Sequence, residues 1–379
     1  MARKTLALAA AAALAAPAAA LAQSGSGLTI GGFIGATVDN LKYTQAAAAR
    51  TTTSENRMSD DSSRIAFNVR EDLGNGSSAL VRVELRPNID NSALTAAGVS
   101  YIGFSTPSSG RITAGRHNFH RYKTPWDGWP MFGQLRVRPD GLIDFAGAGS
   151  VAIANATRTP NSIMWSSPRW GGFAMDAGYS FNANGSTVAE ADMTAGNTAR
   201  AGRAWNVNPT FTGSNWHIAY THWDSKADAP TLGTGAPFRD QLSDSVYGYI
   251  TFGGLKVGAL WNTTDLEAAT VGTKVSERTA WSIPVRYTMG RHNFLAHYTV
   301  ARDDKVTAAE DGAKMWALMY AHALSKRTNV SVAYGRLTND AGAAYNFFSN
   351  ASGAAASTNA APAAGEDGRL IALGIRHTY

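Results

Sequence analysis

The sequence has no cysteine in 379 residues. Neither a disulfide framework nor a thiolate metal site can form, so hydrogen bonding and packing alone must hold the fold. Charge is also scarce. Asp, Glu, Lys and Arg make up 16% of the chain, against roughly a quarter in soluble domains. No basic block of the kind that nucleic-acid binders use is present, so nucleic acid is not an expected partner. Past the first residues no stretch of 18 apolar residues occurs, which excludes a spanning helix there. Helical periodicity is nearly absent. So are the nucleophile elbow, the His-Glu-x-x-His pair and the P-loop. The expectation is therefore neither an enzyme nor a cofactor protein.

What is present begins at the N-terminus. Arg3 and Lys4 precede "TLALAAAAALAAPAAALA", which closes on the small-x-small site Ala20-Leu21-Ala22. This reads as a secretory signal over 1–22, cut after Ala22. Residues 23–379 remain, enough for one large barrel. Two of the six net positive charges leave with the signal, so the exported chain is mildly basic. Its 38 glycines and 10% aromatic residues suit a sheet whose outer face does not meet water.

Period-two alternation recurs along the chain, cut by Gly, Asn, Asp and Ser. In "SSRIAFNVRE" (62–71), Ile65, Phe67 and Val69 share one face and Arg64, Ala66, Asn68 and Arg70 the other. After the turn "DLGNG", Val81, Val83 and Leu85 stand opposite Arg82, Glu84 and Arg86. Sixteen such segments succeed one another: 28–38, 62–71, 79–86, 98–105, 111–116, 161–168, 172–182, 203–211, 216–223, 244–252, 256–264, 278–288, 293–302, 313–322, 329–337 and 368–379. Most have the length that crosses a bilayer as a tilted strand. The connections alternate. Short ones fall at 73–78, 106–110, 169–171, 212–215, 253–255, 289–292 and 323–328. Long ones fall at 39–61, 87–97, 117–160, 183–202, 224–243, 265–277, 303–312 and 338–367. Short turns at one rim and long loops at the other mark an up-and-down meander closed into a barrel. In lipid a free sheet edge has no partner, so closure is required. The fold class expected is all-β: a transmembrane, sixteen-stranded antiparallel barrel.

At this point the residues resemble a family. "LTIGGFIGATVD", "SSRIAFNVREDLGNGSSALVRVEL", "SYIGFSTPSSGRITAGRH", "RTPNSIMWSSPRWGGFAMDAGYS" and the closing "LGIRHTY" are similar, in this order, to the general trimeric porins of Gram-negative proteobacteria. Residues 183–310 match in pattern only. The resemblance implies an outer-membrane channel that passes small hydrophilic solutes and ions. It also implies a homotrimer, contact with outer-membrane lipid and lipopolysaccharide, and insertion by the barrel assembly machinery. In that family the terminal aromatic strand is the assembly signal. Tyr379 stands at that position, where Phe is usual.

The loop 117–160 is far longer than the roughly 12–15 residues at which loops become uncommon. It stands where the resembled family folds its third long loop into the barrel as a constriction. It carries Asp127, Asp140 and Asp144, the arginines Arg136, Arg138 and Arg158, and Trp126, Trp129 and Phe132 as wall anchors. Arg64, Arg70, Arg82, Arg86 and Arg116, with the acid Glu84, are expected on the facing wall. Cations on a wall and acids on a loop would set a transverse field across a narrow, wet throat. The surplus of arginine predicts weak anion selectivity. The alternatives are a porin specific for sugars or small organic acids, or a barrel enzyme.

Three weaker signals are set aside. "GNGSSA" (74–79) fits a dinucleotide loop, but it joins two alternating strands and is a hairpin turn. His117 and His120 lack a third ligand, so no metal is expected. Asp60-Asp61 and Asp303-Asp304 could gather cations against lipopolysaccharide; more often such pairs are simply solvated.

Overall fold

The computed structural model describes residues 26–44, 53–90, 92, 94–95, 98–120, 137–143, 158–183, 203–226, 239–268, 274–307, 309–347 and 362–379. The signal segment 1–22 lies outside them. Eighteen strands form one antiparallel sheet. They are β1 (Gly27–Tyr43), β2 (Ser54–Asp60), β3 (Arg64–Gly74), β4 (Ser77–Pro87), β5 (Leu94–Thr95), β6 (Ser100–Thr106), β7 (Gly110–Asn118), β8 (Arg158–Ser166) and β9 (Phe173–Ser180), followed by β10 (Ala204–Thr212), β11 (Trp216–Ser225), β12 (Arg239–Phe252), β13 (Leu255–Ala268), β14 (Lys274–Met289), β15 (His292–Ala301), β16 (Ala313–Ala323), β17 (Thr328–Asn339) and β18 (Gly368–Thr378). Among the described residues between β7 and β8 lies a short helix, α1 (Asp140–Ile143).

Sixteen walls result, because two pairs of strands act as one wall each. Both β2 and β3 pair with β1, and both β5 and β6 pair with β4. The break between β2 and β3 is built by side chains. Ser62 takes a positive φ of 64°, the Asp60 carboxylate accepts the Ser63 amide at 2.9 Å, and Ser63 Oγ accepts the Gly35 amide at 3.0 Å. Every wall pairs with the next, and β1 pairs with β18 from Phe33↔Thr378 to Tyr43↔Gly368. The sheet therefore has no open edge, as lipid demands.

The chain end is part of this seam. The Tyr379 amide donates to Gly32 O at 3.2 Å, and its phenol donates to Arg64 O at 3.0 Å.

Alternation sorts the two faces. Outward stand Leu28, Ile30, Ile102, Phe104, Ile218, Leu318 and Leu373, all exposed. Inward stand Thr37, Asp39, Thr113, Asn206, Thr221, Ser243, Asn262 and Ser282, all buried. An apolar surface outside a closed sheet is stable only against hydrocarbon. At the short-turn rim the Trp165 ring lies tilted against Trp170, Trp170 stacks on Phe173, and Phe211, paired opposite Phe173, stacks on Trp216, forming an aromatic girdle.

The strands run further than the apolar pattern suggested. β1 continues to Tyr43, and β12, β13 and β14 extend over 14, 14 and 16 residues. Their outer turns pair through polar side chains such as Asn40 with Asn56 at 2.8 Å, which hydrophobic alternation does not register.

Candidate functional site

The inner face of β3 and β4 carries the arginine wall. Asn68 faces Arg82 across the two strands and Ala66 faces Glu84, so Arg64, Arg70, Arg82, Glu84 and Arg86 all share the inner side. Arg82 donates to Asn68 Oδ1 at 2.8 Å and to Glu84 Oε2 at 2.6 Å. Arg86 meets Glu84 Oε1 at 2.5 Å and bonds Ser62 Oγ at 2.9 Å. One buried carboxylate is thus clamped between two guanidinium groups. Arg64 lies close by over the Phe33 ring, its Cζ 4.6 Å from the centroid. Arg376, not anticipated from sequence, rests on the same ring at 3.3 Å. Arg111 adds a further inner cation 5.8 Å from the Tyr101 centroid.

Arg116 does not join them. Thr113, Gly115 and His117 are the inner set of β7, and His117 stacks on Tyr101 at 5.4 Å. Arg116 pairs with Ser100, which in turn pairs with the exposed Val83. It therefore takes the outer face together with Ile112 and Ala114. Arg158 pairs with Asn118, one rung beyond His117↔Thr159, and is buried. The physical reason is parity. A motif at a strand end does not reveal which face its last residue takes.

Two described pieces of the segment 117–160 lie against the inner wall. Just past β7, Phe119 is fully buried with its ring 6.1 Å from that of Trp223. A side chain at Gly178 would overlap the Phe119 ring, so glycine is what admits it. His120 is fully buried and bonds Thr221 Oγ1 at 3.2 Å and Ser243 Oγ at 2.9 Å. Burial pushes its imidazole pKa down to about 3, so it is neutral, with one ring nitrogen donating and the other accepting. Further on, Val137, Leu142 and Ile143 pack among Met315, Ala317, Met319 and Leu337 of β16 and β17. His297 of β15 bonds Val137 O at 2.7 Å.

Asp140 opens α1; Asp127, Asp144, Trp126, Trp129, Phe132 and Arg136 lie outside the described residues.

A second segment turns inward from the last long connection. Tyr345 and Phe347 are buried in the same apolar cluster. Asn339 holds this turn, accepting the Tyr345 amide at 3.0 Å and donating to Tyr345 O at 3.0 Å and Glu366 O at 2.7 Å. Arg278 donates to the Tyr345 phenol. A Cβ at Gly335 would stand 2.8 Å from the Phe347 ring. The inner face of β15–β17 is therefore not a wet wall but a seat for two inward segments.

A family model for Gram-negative porins matches residues 7–342. The chain belongs to the Gram-negative porin family. No match was found among curated protein sequences. Solved structures agree in fold. The anion-selective porin from Comamonas acidovorans superposes with a TM-score of 0.74 at 20% identity, over 93% of this chain and 100% of that one. OmpT of Vibrio cholerae gives 0.66 at 12% identity, over 95% and 99%. OmpF of Salmonella typhi, solved with daunomycin, gives 0.63 at 13%, over 94% and 98%. This porin is thus an outer-membrane barrel with a polar interior, a passive channel for small hydrophilic solutes. Among the described residues, no group of three or more His, Cys, Asp or Glu side chains could hold a metal ion.

Proposed function

We propose that this porin conducts small anions in preference to cations, weakly, and that the arginine wall of β3 and β4 sets the preference. The carrying observation is the composition of the inner cluster. Arg64, Arg82 and Arg86 surround one carboxylate, Glu84, and Arg70, Arg111 and Arg376 add positive charge on the same side of the barrel. In a throat bounded by low-dielectric walls, unbalanced fixed charge raises the local concentration of the opposite ion. Asp127, Asp140 and Asp144 are the acids proposed to face this wall, and 117–160 is the proposed constriction. The seats for Phe119, His120 and Val137 on the inner wall support an inward course for that loop.

The chain works without cofactor or catalysis in this reading, after removal of residues 1–22. A homotrimer is proposed from the family and from the trimeric form reported for OmpT of Vibrio cholerae. Gel mobility before and after boiling tests it. The strand ending at Tyr379 is proposed as the signal read by the barrel assembly machinery, and lipopolysaccharide as the outer-leaflet neighbour. Selectivity is tested by the zero-current potential of reconstituted channels in a KCl gradient. Loss of anion preference in Arg64→Ala/Arg82→Ala supports the wall assignment, and an unchanged potential contradicts it.

A further inference from the structure

A second pair of cations stands inside the barrel, away from the arginine wall. Lys256 of β13 and Arg286 of β14 are directly opposite each other on paired strands. In the ring of strands, β13 and β14 lie roughly half a turn from β3 and β4. Both side chains face inward. Lys256 shares its side of β13 with the buried Leu260 and Asn262, and Arg286 shares its side of β14 with the buried Ala280 and Ser282. β13 begins at Leu255, so Lys256 stands one residue in from the short-turn rim. The pair therefore flanks the short-turn exit of the lumen.

Uncharged groups hold both cations in place. The Lys256 ammonium lies over the Tyr249 ring, 4.0 Å from its centroid. That ring is stacked in turn on His217, with centroids 5.3 Å apart and planes 20° off parallel. Arg286 donates through Nη2 to Asn293 Oδ1 at 2.7 Å and through Nε to Thr288 Oγ1 at 2.9 Å. Tyr249, Asn293 and Thr288 orient charge without cancelling it, whereas Glu84 cancels part of the charge on the arginine wall. Among the described residues Lys256 makes no ion pair, and the charge that acts on it is that of Arg286. Like charges on directly paired positions repel and destabilise a sheet. An anion between them relieves that repulsion. A guanidinium fork and an ammonium side by side suit a group with two oxygens on one centre.

We propose that Lys256 and Arg286 form an oxyanion station at the short-turn exit, which takes a carboxylate or phosphate group by one oxygen each. Conduction needs sites that bind well enough to fill and weakly enough to empty. Two such sites in series, the arginine wall and then this station, let a small organic or inorganic anion step through the lumen. The station extends the anion preference proposed above but uses none of the residues assigned to it.

Planar-bilayer recordings of the reconstituted channel in KCl test this. Inorganic phosphate and succinate are the probes, added to one side at a time. Each is expected to reduce the chloride current along a saturating curve, with the lower half-blocking concentration from the short-turn side. Lys256→Gln/Arg286→Gln is expected to raise that concentration at least about tenfold, the size of one lost charge-assisted contact. Lys256→Arg keeps the charge and should keep the block near its native strength, which separates loss of the station from loss of the fold. Either order of the two probes supports the station and tells which group it favours. Arg64→Ala/Arg82→Ala should change the zero-current potential and leave the block in place. A potential untouched by that pair, with the block intact, would fault the arginine wall and support the station. An unchanged half-blocking concentration in Lys256→Gln/Arg286→Gln overturns the station. So does a native current that neither probe reduces.

Discussion

Arg82 holds the Glu84 carboxylate at 2.6 Å, on the inner face of β4. Arg86 takes the other oxygen of the same group at 2.5 Å. Glu84 thus cancels part of the wall's positive charge and fixes the direction of two guanidinium groups. Glu84→Gln is expected to increase anion preference, read as a larger zero-current potential of the same sign. Removing one partner of a buried ion pair costs about 3–5 kcal/mol, so the variant barrel should also unfold at lower temperature in detergent. Unchanged selectivity would mean that the ion path runs clear of β4.

The Phe119 ring fills the space that Gly178 leaves open. Gly178→Leu should expel it and unseat the start of the 117–160 loop. The expected result is a larger, noisier single-channel conductance, with the barrel intact by circular dichroism. Phe119→Ala removes about 3–5 kcal/mol of packing and should give the same channel phenotype.

His120 links that loop to β11 and β12 through Thr221 and Ser243. Its pKa falls from 6.5 unfolded to about 3 folded. The sign follows directly. The contribution of this seat is complete above 6.5, declines as pH drops below that value, and is lost as pH approaches about 3. Proteolytic nicking within 121–136 should rise between pH 7.5 and pH 4.5 in the native protein. In His120→Asn the same measurement should be flat with pH.

Asp304 shapes the connection between β15 and β16. It accepts the Ser276 hydroxyl, the Glu277 amide at 3.0 Å and the Val306 amide at 2.9 Å, and lies 3.8 Å from Arg278 Nε. Desolvation raises its pKa, but the Ser276 hydroxyl, the two amides and Arg278 together outweigh this and hold it below 3.8. Its support is complete above the ordinary aspartate range and is lost only as pH falls through the lowered value. Asp304→Asn should speed amide hydrogen exchange in 303–307 at pH 7, with exchange in β16 unchanged.

The barrel was legible because its two solvents leave a period-two trace in most walls. Ile65, Phe67 and Val69 against Arg64, Asn68 and Arg70 is that trace in one strand. Tyr379 was readable as an anchored end because a closing strand needs a partner. The seat on β15–β17 was harder to see. Met315, Ala317 and Met319 alternate with Trp316 and Leu318, so this strand is apolar on both faces. Such a strand in a wet barrel implies that something covers its inner side. The identity of the cover, Val137 to Ile143 and Tyr345 to Phe347, depends on contacts more than a hundred residues apart or on a late loop, and no local pattern encodes them. Arg116 was misplaced for a local reason: the inner set of β7 is Thr113, Gly115 and His117. Arg376 escaped notice because its partner, Phe33, reaches it only through barrel closure.

The zero-current potential across a planar bilayer with a tenfold KCl gradient tests the central claim most directly. The arginine wall predicts a potential of the sign given by chloride moving faster than potassium, reduced in Arg64→Ala/Arg82→Ala. A potential set by potassium in the native channel would contradict it.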